Sequence, residues 1–249
     1  MDINEDYIFV WLSSIAGFNY LLYIRLLKLY GSCMQLFYNT KNREKLKKDL
    51  ENEGIFLSNQ LLDMLTSENL KKDSFFIYKF LLSKNIKIIS INSKKYPKKL
   101  FNLFIPPLCI LLNRDIDFEK NKCIYLHYDN DFSIYGKNIY VDVSMYLRNK
   151  KVYKIGLKEE NADIVVKSID FKEIEKISKI KNEEKNYIFV ILNANYNFFE
   201  LEILAGLIDL CIIPEFAYEK KPYIKYLIDI LANDSKDILV APRKYLFKV

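Results

Sequence analysis

From residue 122 onward, short apolar runs rich in β-branched side chains alternate with stretches of helical periodicity, and this alternation leaves few architectures open. The runs occupy residues 123–126, 152–155, 187–192, 210–213 and 238–240; helical spacing occupies 140–149, 198–207 and 221–232. Strands joined through helices pair in parallel by right-handed crossovers, whereas antiparallel neighbours are joined by tight turns and need no helix between them. The pattern predicts an α/β fold with a Rossmann-like, mainly parallel sheet built from these five runs, over residues 118–249.

Residues 1–117 have a different rhythm. Phe9, Trp11 and Leu12, then Leu21, Leu22, Ile24, Leu26 and Leu27, recur at helical spacing. Gly17 breaks the run, and Gly31 stands where a helix C-terminus favours a left-handed residue. Further helices are expected over 41–52, 58–66 and 73–83, then a short strand at 86–89. A turn over 92–100 follows, and Pro106-Pro107 opens an extended run at 108–112, since proline fixes φ and stops a helix. The polar stretch 114–122 reads as a linker. The expected organisation is a mainly helical N-terminal domain of helix-hairpin type with its connector (1–117), followed by the Rossmann-like domain (118–249).

Composition narrows the function. In 249 residues, 51% hydrophobic and 28% charged, there are six glycines. Few backbone positions can therefore close around a phosphate without a Cβ in the way. No Gly-rich phosphate loop or paired nucleophile and base is present, so an enzyme is not expected, nor a cofactor. Cys33, Cys109, Cys123 and Cys211 are scattered and read as reduced core residues; with His127 the lone histidine, no metal site is expected. Residues 1–6 are acidic where a secretory signal would be basic, and no apolar run reaches the roughly 18 residues that span a bilayer. The expectation is a cytoplasmic protein without membrane contact.

The net charge of +6 sits mostly in the first part, where 17 Lys+Arg face 12 Asp+Glu through Asp117. Such an excess can draw a chain to polyanions or simply solvate helix surfaces. The densest cluster is Lys94-Lys95-Tyr96-Pro97-Lys98-Lys99, four ammonium groups and one aromatic ring on a turn. It is the leading candidate for nucleic-acid contact, by phosphate pairing and base stacking. His127 should close the first strand of the sheet and Glu215 should follow the fourth, both at the edge where open α/β sheets bind ligands. Each also fits a structural role.

Three stretches, in order, resemble the DprA/Smf family of DNA-processing proteins. They are Trp11-Leu-Ser-Ser-Ile-Ala-Gly-Phe18 with Leu29-Tyr-Gly-Ser32; Ile88 to Leu100 running into Ile105-Pro-Pro-Leu-Cys-Ile-Leu-Leu112; and Ile203-Leu-Ala-Gly-Leu-Ile-Asp209 with Ile212-Ile-Pro-Glu215 and Val240-Ala-Pro242. The resemblance implies single-stranded DNA as ligand, a RecA-type recombinase as partner, and a homodimer. It also implies sugar or phosphate contact by Ser133, Tyr135 and Gly136, which stand in a Ser-x-Tyr-Gly motif; Gly136 equally fits a helix-start turn. Other family motifs are changed. Tyr128-Asp129-Asn130 stands at the first phosphate loop, Ile155-Gly-Leu-Lys-Glu-Glu160 at a second, and Glu200-Leu201-Glu202 where the family has arginines. A carboxylate repels phosphate and has no proton to give at neutral pH, so the sheet-edge pocket should be weakened. Two readings stay open: a non-enzymatic single-stranded DNA binder, or a scaffold that has lost DNA and meets other proteins.

Overall fold

The computed structural model describes residues 3–127, 134–148, 150–179, 185–192, 199–214, 222–234 and 236–241. The first part folds as α1 (Glu5–Ser14), α2 (Tyr20–Tyr30), α3 (Cys33–Asn39), α4 (Arg43–Asn52), α5 (Asn59–Thr66) and α6 (Glu68–Ser83), then strands β1 (Lys87–Ser90) and β2 (Cys109–Leu112). The second part runs β3 (Lys122–Leu126), α7 (Ile134–Leu147), β4 (Val152–Gly156), β5 (Ile164–Asp170), β6 (Asn186–Leu192), α8 (Phe199–Leu207), β7 (Leu210–Pro214), α9 (Pro222–Asn233) and β8 (Asp237–Ala241).

Local sequence explains where the first six helices begin. Asn4, Asn19, Ser32, Asn42, Ser58 and Ser67 are their N-caps, and each side chain accepts a backbone N–H that the first turn would otherwise leave unpaired. Gly31 ends α2 at φ +79°, a conformation costly for a residue with a Cβ. Ser32 then starts α3 at once, a helix the periodicity did not reveal.

The eight strands form one sheet in the order β1-β2-β6-β5-β4-β3-β7-β8. The five expected runs are all strands of it, and β3 to β8 pair in parallel with one another. Two features extend the expectation. Residues 164–170 are a sixth parallel strand, β5. The β1/β2 pair, from before residue 117, joins the same sheet antiparallel, with Leu111 opposite Phe189 and Leu112 opposite Ile188 of β6. Asn113 fixes that register: its amide donates to Lys185 O (2.9 Å) and its Oδ1 accepts Tyr187 N–H (2.7 Å).

One core therefore runs across the boundary at 117. Helix α1 is buried along most of its length and packs on α6 and on β1, β2 and β6, with Tyr7, Phe9, Trp11 and Leu12 fully enclosed. The four cysteines are buried as free thiols. No described helix is long and apolar enough to cross a membrane.

The connector is pressed against α8 at the Ala205-Gly206-Leu207 motif. A Cβ on Gly206 would lie 3.0 Å from Leu100 Cδ2 and 3.1 Å from Leu103 Cδ2. Gly206→Ala gains about 1 kcal/mol of helix propensity and loses a similar amount to crowding, so it is expected to be nearly neutral. Gly206→Val keeps the crowding, enlarges it and gains less propensity. Its denaturant midpoint should fall by the equivalent of about 1–3 kcal/mol, and an unchanged midpoint would show that the connector is not seated on α8.

Candidate nucleic-acid interface

Residues 92–104 carry the lysine cluster over the start of the sheet. The chain turns at 92–96 and enters a 3-10 turn, Lys98–Asn102, behind Pro97. Side chains three apart eclipse in such a turn, so Lys98 and Phe101 share a face. Lys94 is exposed. Lys95 and Lys98 are exposed as well, each only loosely paired: Lys95 Nζ is 3.7 Å from Asp115, which also holds Lys87, and Lys98 Nζ is 3.7 Å from Glu119. Exposed pairs of this kind contribute at most about 1 kcal/mol, so an incoming phosphate can replace the carboxylate.

Two of the expected contacts have other roles. Tyr96 is 2% exposed; its hydroxyl donates to Pro107 O at 2.7 Å and its ring packs 5.1 Å from Phe101. With no open face for a base, it is a core residue and not the stacking ring that the sequence suggests. Burial holds its phenol well above the usual range. Lys99 donates to Asp209 at 2.6 Å across 110 residues, and Asp209 also accepts Cys123 N–H at 2.8 Å. That carboxylate ties the connector to the start of β3, so Lys99 is engaged in the fold.

Phe101 and Phe104 are the aromatic residues that the sequence reading passed over. They are 41% and 84% exposed, and Phe101 is braced by Tyr20, 6.2 Å away. Their signal was the spacing from Lys98 behind a proline, a turn too short to register as periodicity. Lys94, Lys95, Lys98, Phe101 and Phe104 thus expose cations and open rings along residues 94–104.

The Lys99–Asp209 pair can be tested by removing its carboxylate. Lys236, held below the usual lysine range first by burial and then by Lys99, donates to Gly206 O and Ile208 O beside it. Asp209→Ala would leave two ammonium groups together and the Cys123 N–H without its acceptor. A loss of about 2–3 kcal/mol in chemical unfolding is expected, partly restored by adding Lys99→Met. A loss below about 0.5 kcal/mol would mean that the pair is ordinary surface.

At the opposite, C-terminal edge of the strands the expected acids are engaged in structure. Glu200 accepts from Ser168 N–H (2.6 Å) and Ser168 Oγ (2.7 Å). Glu159 pairs with Lys167 at 2.6 Å, and the hydrogen bond from that lysine holds its carboxyl below the usual range. Glu202 accepts from Tyr226 at 2.7 Å and pushes that phenol up to about 12. His127, 1% exposed, shares a 2.9 Å hydrogen bond with Tyr125 through Nδ1 and lies 6.0 Å from the Tyr223 ring. Its enclosure among aromatic rings fits the structural role. Gly136 is buried in the first turn of α7. Ser133, Asp129, Glu215 and the side chain of Tyr135 lie outside the described residues. Among the described residues no three His, Cys, Asp or Glu side chains converge as a metal site.

Sheet order, crossovers and the helical layer on the antiparallel end define an open doubly wound α/β protein with a DprA-like fold. The chain is similar to the X-ray structure of DNA processing protein A (DprA) from Streptococcus pneumoniae, with a TM-score of 0.51 and 14% identity over 99% of this chain and 89% of that one. At that identity the likeness is one of fold. No family model matches the chain, and no curated protein matches it.

Proposed function

We propose that the chain is a DprA-like DNA-processing protein that holds single-stranded DNA without catalysing a reaction on it. The observation that carries the reading is that Lys94, Lys95 and Lys98 are exposed, together with the open rings of Phe101 and Phe104, within one short stretch of the connector. Cations track a phosphate backbone while rings accept successive bases of any identity. By the family resemblance, Ser133, Tyr135 and Gly136 are a second contact in this proposal. A RecA-type recombinase and a second copy of the chain are the protein partners in this proposal.

The test is a titration of oligothymidylate and oligodeoxyadenylate over a range of salt. Three phosphate contacts should give a log–log slope of about −2, at roughly 0.7 per contact on a single strand, with little difference between the two sequences. No binding at low salt would overturn the reading and leave a scaffold that meets other proteins.

A further inference from the structure

A doubly wound sheet is normally covered on both faces because each parallel crossover lays a helix on it. Here the β3–β4 crossover supplies α7, but β4 reaches β5 through residues 157–163 alone, which hold only the three-residue 3-10 turn Glu159–Asn161. The place beside α7 where a further helix would lie is a groove of about 450 Å³. Val141, Met145 and Leu147 of α7 and Val152 of β4 give it aliphatic walls, and Arg148, Lys150 and Lys154 also line it.

The outer face of α7 continues the apolar character. Ile134, Val141 and Met145 are exposed, at seven- and four-residue spacings that align along one side of a helix, and the neighbouring Tyr146 is exposed as well. Lys150 Nζ lies 5.2 Å over the Tyr146 ring and Lys154 Nζ 5.7 Å over the Tyr140 ring. Among the described residues, Arg148, Lys150 and Lys154 have no carboxylate within ion-pair distance; Asp163 in the same groove is engaged with Lys154 N–H at 2.9 Å, and Asp142 is the acid on the α7 face.

We propose that this slot takes an amphipathic helix of a partner protein, with aliphatic residues on one face and Asp or Glu flanking them. The missing crossover sets the shape, since a helix packs beside another at about 8–10 Å. The cations set the sign of the partner. A second copy of the chain would bring the same cations against themselves. A nucleic acid would lay its charged backbone along aliphatic walls. The proposal stands independently of DNA binding at the connector.

The probe is a fluorescein-labelled 15-residue peptide with leucines at three- and four-residue spacing flanked by glutamates, titrated into the full chain by anisotropy. The expected result is at least ~10-fold tighter binding than a scrambled peptide of the same composition. Met145→Glu should weaken it ~10-fold or more. On Arg148→Glu/Lys150→Glu, a version of the peptide with lysines for glutamates should become the better ligand. These positions are exposed, so parental melting curves are expected; if Met145→Glu melts early, Val141→Glu serves in its place. Equal binding of the scrambled peptide, or parental binding by the Met145→Glu chain, would overturn the proposal. Loss of oligothymidylate affinity in that variant would assign the slot to nucleic acid instead. Sedimentation showing a dimer that Met145→Glu dissociates would assign it to a second copy.

Discussion

In the intact chain, Phe101→Ala combined with Phe104→Ala is expected to weaken oligothymidylate binding by about 2–4 kcal/mol, roughly thirty- to a thousandfold, because each base–ring stack is worth about 1–3 kcal/mol. The lysines should respond differently. Lys94→Ala, Lys95→Ala and Lys98→Ala together should remove about two units of salt slope, whereas Lys99→Ala should leave the slope alone and lower stability. Tyr96→Phe should leave binding unchanged, since its hydroxyl is engaged with Pro107 inside the protein. The readout is a pair of salt series, one for the phenylalanine variant and one for the lysine variant. Parental affinity in the phenylalanine variant would remove the stacking surface from the reading even if the lysine slope changed.

Alkaline solution should unfold the protein well before its lysines lose their charge in bulk. Burial pushes the thiols of Cys109, Cys123 and Cys211 from 9.0 up to about 12, and the phenols of Tyr7 and Tyr23 from 10.0 up to about 12. In each case the folded state keeps its proton over a range where the unfolded state has released it. The unfolded state thus binds fewer protons, and stability falls as pH rises. The contribution is complete below about pH 9 and is lost progressively toward pH 12. Lys236 pulls the other way, being held below 10.5, but it is one group against five. Far-UV circular dichroism should therefore change together with the share of tyrosinate absorbance that Tyr7→Phe and Tyr23→Phe remove. If that share appeared near pH 10 with the dichroism intact, Tyr7 and Tyr23 would be open to water.

What the sequence made legible was whatever repeats along it. The parallel strands with their helices, the turn before Pro97 and the glycine stop at Gly31 follow from period, proline and positive φ, which are local properties. Strand β5 was missed because only seven residues separate it from β4, so it did not fit the expected strand-helix-strand spacing. Helix α3 was missed because Gly31-Ser32 reads as a stop, while Ser32 is also the cap that starts the next helix. The joining of β1 and β2 to the sheet depends on Asn113 meeting Lys185 and Tyr187, a pairing with no local signature. At the candidate interface, charge density marked Lys94, Lys95 and Lys98, but burial separated Tyr96 and an ion pair separated Lys99 from them. Both are properties of the folded chain, set by Pro107, 11 residues on from Tyr96, and by Asp209, 110 residues on from Lys99.

The antiparallel seam between β2 and β6 also has a consequence for how the chain is made. Asn113 and Tyr187, which close that seam, are 74 residues apart. At about 5–20 residues per second of synthesis, β2 waits roughly 4–15 s for its partner strand. During that interval the first half of the protein carries a finished hairpin whose inner side, Leu111 and Leu112, has nothing to pair with. An open edge of this kind recruits other chains, so a ribosome stalled between β2 and β6 would release a fragment prone to aggregate. The early helices must therefore shield the hairpin until β6 emerges, and the packing of α1 over β1 and β2 places the most apolar helix of the first half where that shielding is needed.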